Sequence, residues 1–316
     1  MLQEHNNPFE GMTDVGQAEV EFNQFRLNNP DDIDAQKAVL SDMLDALLGA
    51  EEQLTGDADD FHNFAVTVSK VVNDNKNAYA IVREGLKIHN VNTDLLADAL
   101  LYGANAGEKE ACEEWYNVLM SVDKSKWTWR AFSFTITYLL NLYSSSESSI
   151  ANLDTILALA KEYQTYLPDD ESAWMSMYRV YDKTNQRAKA IEVLKAAIDK
   201  FRSCPKCCMR YADEMIDEGK YADAETAIRK MLRDPNATEQ INTSYMHYLD
   251  GKCKMAKLID TDAYWNGEVD EKDVKSIYRS FTLSRRSEGL RESVNQRIDE
   301  YINRLELETG VKFEDV

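Results

Sequence analysis

Three thiols stand together at Cys204-Pro205-Lys206-Cys207-Cys208. A Cys-x-x-Cys at the start of a helix can hold a disulfide, or it can carry a thiolate, because the helix N-terminus favours the ionised sulfur. It can equally supply half of a zinc site. A zinc site would need two further ligands, and the sequence offers only Cys253 and His247 downstream. Cys204 and Cys207 are therefore the metal or redox candidates. The competing reading is a buried turn whose sulfurs pack like any small apolar group.

Little else in the chain assembles into a reaction centre. The four histidines, His5, His62, His89 and His247, are scattered. No glycine-rich phosphate loop, His-Glu-x-x-His or Gly-x-Ser-x-Gly occurs. The 56 carboxylates will meet one another as helical i, i+4 neighbours without any catalytic meaning. Arg279, Arg285, Arg286, Arg291, Arg297 and Arg304, interleaved with Tyr278 and Phe281, make the C-terminal third locally basic. Glu288, Glu292, Asp299 and Glu300 dilute that charge, so ion pairing between helix faces is the simpler reading. The formal net charge of −20 argues against tracking a phosphate backbone, which needs clustered Lys and Arg, and could steer a basic partner inward. The expectation is a non-enzyme with no cofactor, no nucleic acid and no membrane partner.

The elements that would position these residues are helices. At 316 residues the chain exceeds the usual single core, so it calls for two domains or one elongated array. Only 12 Gly and 5 Pro are present, and 44% of residues are hydrophobic, which favours long helices with short connections. MLQEHNNPFE lacks a basic n-region and an apolar core. The most apolar stretch, Ala131 to Tyr143, is interrupted by Ser133, Thr135, Thr137 and Asn141. Five scattered cysteines make no disulfide framework, so a reducing cytoplasm is the expected home.

Residues 1–30, rich in Asn and Glu, read as a poorly ordered lead-in. Asn7-Pro8-Phe9 resembles a short linear ligand of trafficking modules, but such tripeptides are common by chance and plain turn chemistry is the simpler reading. From Asp31 helical spacing takes over: Val39, Leu40, Met43, Leu44, Leu47 and Leu48 recur after the acidic first turn of Asp31, Asp32 and Asp34. Helix pairs follow over about 61–90, 93–123 and 127–168, with Asn73-Asp74-Asn75 turning the first. The stretch from Trp127 to Leu142 reads as a helix apolar nearly all round, and Tyr143 to Ile150 (YSSSESSI) as a loop.

The chain then repeats itself at 34 residues. Trp174 falls on Cys208, Met177 on Tyr211, Tyr181 on Met215, Ala190 on Ala224, Leu194 on Ile228 and Ala197 on Met231. Leu96 stands 11 residues before Gly107 and 16 before Cys112, and Trp174 and Cys208 stand at the same distances from Asn185 and Ala190, and from Gly219 and Ala224. Gly and Asn accept φ > 0 most easily and can end one helix sharply. Small residues at Cys112, Ala190 and Ala224 let the second helix approach the first.

A period of 34 with this order of large and small residues is that of a helix–turn–helix repeat. Over 171–238 the chain resembles the tetratricopeptide-repeat family, through Trp174, Tyr181, Ala190, Ala197, Gly219, Tyr221, Ala222 and Ala224; the likeness is weaker over 61–170. Tyr178 and Ala212 stand where that family often has Gly. The resemblance implies an all-α, right-handed superhelical array over 31–316, with units near 171–204 and 205–238 and capping helices over 239–316. It also implies a non-enzymatic adaptor, scaffold or regulatory subunit that binds a protein or peptide, or alternatively a peptide sensor whose curvature responds to its ligand. By the same resemblance the groove would be lined by Asn105, Met175, Arg179, Asp182, Lys183, Met209, Asp213 and Asp217. The methionines suit an adaptable apolar contact. Met175 and Met209 occupy equivalent places, so a regular carboxylate grip is not expected from these positions.

Overall fold

The computed structural model describes residues 7–145, 150–234, 240–286 and 290–313. Among them helices are the only regular elements, apart from one isolated bridge between Asp14 and Thr55. Where one array over 31–316 is expected, the chain forms two compact units, Met1–Pro168 and Asp169–Val316. The division falls at the Leu167-Pro168-Asp169-Asp170 break.

The first unit holds α1 (Val15–Asn28), α2 (Ile33–Leu48), α3 (Ala58–Val71), α4 (Asn75–Ile88), α5 (Thr93–Ala106), α6 (Lys109–Ser121), α7 (Trp129–Ser145) and α8 (Leu153–Tyr166). The presence of α1 corrects the expectation of a disordered lead-in. The Asp14 carboxylate accepts from the Gln17 amide at its N-terminus, and Val15, Ala18 and Phe22 are buried. Three apolar residues one turn apart suffice when a neighbour covers them, and α1 packs on both α2 and α3. At Asn7-Pro8-Phe9 the Phe9 amide donates to Asn7 Oδ1 at 2.9 Å and Asn7 Nδ2 donates to the Asp42 carbonyl at 2.7 Å. That is turn chemistry. Residues 1–6 and half of the Ser-rich segment, 146–149, lie outside the described residues.

Helices α3 and α4, α5 and α6, and α7 and α8 form successive pairs, and α5 packs on α4 and α7 as well as on α6. Nine of the 14 residues of α5 are buried, which no single partner helix could achieve. The aromatic α7 behaves as expected of an all-round apolar helix, with Phe132, Ile136, Tyr138 and Leu139 buried. It starts at Trp129 rather than Trp127. A 3-10 turn (Lys124–Lys126) precedes it, and Lys124 Nζ sits 3.8 Å from the centre of the Trp127 ring.

The second unit holds α9 (Glu171–Lys183), α10 (Arg187–Lys200), α11 (Pro205–Asp217), α12 (Tyr221–Leu232), α13 (Gln240–Ile259), the short α14 (Asp262–Asn266), α15 (Glu271–Arg285) and α16 (Glu292–Thr309). The turns expected from the repeat register are present in both units. Gly107, Asn185 and Gly219 have φ of 87°, 57° and 69°, and Asn73 has φ of 55°. After each of the first three the same closing bond recurs: Glu108 N to Gly103 O, Gln186 N to Tyr181 O, and Lys220 N to Met215 O. This is the left-handed helix stop in which the chain folds back over the last turn. The small residues opposite, Cys112, Ala190 and Ala224, are at most 1% exposed.

Helices α13 and α15 make the tightest crossing of the second unit. A Cβ added at Gly251 would lie 2.4 Å from Cε1 of the buried Phe281 ring. On helix propensity alone Gly251→Ala would stabilise by up to about 1 kcal/mol. Overpacking against a core ring costs about 1–3 kcal/mol and reverses the sign. Urea unfolding is therefore expected to show a less stable variant; a gain in stability would show that α15 gives way without cost.

Candidate functional site

The second unit carries all but one of the expected groove residues. Met175, Arg179, Asp182 and Lys183 project from α9, and Met209, Asp213 and Asp217 from α11. Arg179, Lys183 and Asp217 are exposed, while Met175, Asp182, Met209 and Asp213 are half-buried. Both methionines rest against the hydrophobic core of the unit. Asn105 is exposed on α5 of the first unit, beside an open cavity of about 480 Å³ bounded by Cys112, Tyr138, Asn141 and Leu142.

Asp213 and Asp217 are not free to attract a partner. Lys252 of α13 reaches both, at 2.7 and 2.9 Å. Arg210 lies 3.5 Å from Asp213 and 2.8 Å from Glu214. Glu214 is buried and closes the network, with Arg187 of α10 at 2.8 Å on its other oxygen and the Tyr178 hydroxyl donating to it at 2.7 Å. Arg210 Nε in turn donates to the Tyr178 oxygen. Burial and the hydrogen bond to Glu214 push the Tyr178 phenol up. The charge of these two aspartates is thus engaged inside the fold. Sequence reading missed this because Lys252 lies 39 and 35 residues from its partners.

Beside Met209 the structure forms a cavity of about 430 Å³, bounded by Tyr245 of α13 and by Leu290, Arg291, Ser293, Val294 and Arg297 at the start of α16. None of the α13 or α16 residues was expected in the groove. Burial and the Asp213 charge push the Tyr245 phenol up, and the charges of Lys252 and Arg297 oppose this.

The thiols cluster differently from the Cys-x-x-Cys reading. Cys204 Sγ lies 3.6 Å from Cys208 Sγ, whereas the Cys207 amide donates to Glu171 Oε1 at 2.7 Å. All three cysteines are free and wholly buried. The contact with Cys208 lowers the Cys204 pKa, and burial pushes the Cys207 thiol up. No grouping of three or more His, Cys, Asp or Glu among the described residues is arranged to hold a metal ion.

A second polar pair lies in the first unit. His62 Nδ1 of α3 meets Asp98 Oδ2 of α5 at 2.6 Å, with the carboxylate wholly buried. Burial pushes the Asp98 carboxyl up, and the His62 hydrogen bond opposes it. Asp98 Oδ1 has no described partner. His62 and Asp98 stand 36 residues apart, and neither carries a local motif.

Neither a family model nor a curated protein matches the chain. Among solved structures it is similar to a tetratricopeptide repeat protein from Parabacteroides merdae ATCC 43184, at 15% identity and a TM-score of 0.49, over 91% of this chain and 100% of that one. No described helix is long and apolar enough to cross a membrane.

Lys252 offers a test of the ion network. Burial alone would lower its pKa, but the hydrogen bonds to Asp213 and Asp217 outweigh this and raise it above the ordinary 10.5. A cation whose pKa is raised by folding contributes its full stability below its unfolded value and loses it as pH climbs through the folded one. The difference in unfolding free energy between wild type and Lys252→Met is therefore expected to stay constant from neutral pH to about 10.5 and to shrink above it. Urea titrations across that range check this; a difference that already falls below pH 9 or so would mean that the pair is not formed.

Proposed function

We propose that the chain is a non-enzymatic adaptor, scaffold or regulatory subunit that holds a protein or peptide against the first-helix face of its helix pairs, in the cytoplasm. The observation that carries this reading is the open cavity in the second unit. It is bounded by Met209 of α11, the first helix of its pair, and by Tyr245 of α13.

Two features support it. A mouth with both methionine and tyrosine offers adaptable apolar contact beside a polar edge, the mixture that suits recognition more than turnover. The reactive side chains of the unit are also engaged in the fold: Glu214 is held by Tyr178, Arg187 and Arg210, and the three thiols near the start of α11 are buried. Arg179 and Lys183 stay exposed on the same helix as Met175, so that helix can meet a partner through both charge and apolar surface.

Affinity capture from the source organism's lysate, read by mass spectrometry with wild type beside Arg179→Glu/Met209→Glu, tests the reading. The double variant is expected to lose the proteins that the wild type retains, with far-UV circular dichroism unchanged and a melting temperature within a few degrees, as for exposed and half-exposed sites costing roughly 1 kcal/mol together. Recovery of the same proteins by both chains would place binding on another face.

A further inference from the structure

We propose that the cavity between α11, α13 and α16 selects an acidic, apolar peptide segment of a partner protein, with carboxylates at Arg291 and Arg297 and apolar side chains against Met209, Tyr245, Leu290 and Val294. This rests on the partner-binding reading above and names the chemistry of the ligand.

The two arginines carry the argument. Carboxylates outnumber cations in this chain by 56 to 36, and Arg187, Arg210, Arg229, Arg285 and Arg304 of the same unit each face one. Arg291 and Arg297 pair with no carboxylate among the described residues, a condition they share with Arg179, Arg202, Arg233, Arg279 and Arg286; what sets these two apart is that both border the cavity beside Met209, Leu290 and Val294, and both are exposed. Among the described residues Arg297 is engaged through a neutral group, the Tyr248 hydroxyl, with Tyr245 and Tyr301 nearby. In so acidic a chain, two cations left without acids at the rim of an apolar recess are complementary to a ligand that supplies the acids. Guanidinium forks suit carboxylates in particular.

Two neighbouring features point the same way. Arg291 is the N-cap of the 18-residue α16, and no side chain caps that end. The first-turn amides and the positive end of the helix therefore add to the arginines beside Ser293, which also lines the cavity. On α11, Asp213 and Asp217 share Lys252, and Asp213 also meets Arg210, which reduces their repulsion of an acidic ligand; Glu292 in the first turn of α16 is the carboxylate the two arginines must outweigh. The recess of about 430 Å³ falls within the range of about 300–1,000 Å³ usual for ligand sites. At longer range the net charge of −20 repels an extended polyanion, which favours a short acidic segment over a nucleic acid.

The test uses the whole chain and a fluorescein-labelled decapeptide alternating glutamate and leucine, with glutamine–leucine and lysine–leucine versions alongside, read by fluorescence anisotropy. The acidic peptide is expected to bind, to weaken as salt is raised, and to be preferred over both others. Arg291→Gln and Arg297→Gln are each expected to weaken it by about tenfold, the worth of one charge-assisted hydrogen bond. The Arg291→Lys/Arg297→Lys variant keeps the charge and should restore part of the affinity. Both positions are exposed, and an unchanged melting temperature confirms that the glutamine variants are folded.

Equal binding of the acidic and glutamine peptides, or acidic binding indifferent to the arginine variants, overturns the inference. So does concentration-dependent self-association abolished by Arg297→Gln, which would assign the cavity to a second copy of the chain. If lysate proteins are still lost by Arg179→Glu/Met209→Glu while the acidic peptide fails to bind, only the ligand assignment falls. If both experiments fail, the partner-binding reading falls with it.

Discussion

The first helix of each pair has more apolar surface than its own partner can cover, and the structure follows from that deficit. Helix α5 is the plainest case: Leu95, Leu96, Ala97, Ala99 and Leu100 are all wholly buried, and consecutive buried residues point in every direction around a helix. Such a helix must be enclosed by a second helix of its own pair and by helices of the pairs on either side. Within each unit this sets a sequence of stacked pairs. It also fixes where small residues are required. Cys112, Ala190 and Ala224 allow the second helix to come close, and at Gly103 even a Cβ would lie 2.8 Å from the Cys112 sulfur.

Apolar enclosure sets contact but not rotation, because a greasy stripe can slide. Polar contacts between pairs supply the register, and they recur at one spacing. His62 with Asp98, Tyr79 with Trp115, Asp94 with Arg130, Glu171 with Cys207, and Tyr178 with Glu214 are each separated by 36 residues. That is the 34-residue period advanced by two, so a residue on one pair meets a residue slightly further along the next. Leaving a buried polar group unmet costs about 1–3 kcal/mol, so a stack rotated by even part of a turn would forfeit several such bonds at once. The bonds hold alignment more than they hold the chain together, consistent with the modest net worth of buried ion pairs.

This division explains what could be read from the sequence. Gly107, Asn185 and Gly219 were legible because a positive φ is a local demand that few residues meet, and the 34-residue alignment of Trp174 with Cys208 followed from one helix alone. The extra helix α1 was hidden: Val15, Ala18 and Phe22 sit among Asn, Gln and Glu, and their burial depends on α3, more than 30 residues away. The groove was legible only in outline. That Met209 borders a cavity with Tyr245, that Asp213 and Asp217 are occupied by Lys252, and that α16 brings Arg291 and Arg297 to that cavity are facts of tertiary packing. The three thiols pack as the buried-turn reading has it. Cys204 is a non-helical N-cap with φ of −151°, and its sulfur meets that of Cys208, one helical turn further on.

Bulk charge and local charge consequently point in opposite directions. A net charge of −20 suggests a surface waiting for a basic partner, but on the first-helix face of the second unit Asp213, Glu214 and Asp217 are consumed in aligning α9, α11 and α13. Satisfying these carboxylates internally offsets part of the negative potential on that face, so the cations that α16 brings to the Met209 cavity meet less opposing charge than composition suggests. In an array of this kind the alignment bonds decide which side chains remain exposed, and a count of residues by type does not give the local charge.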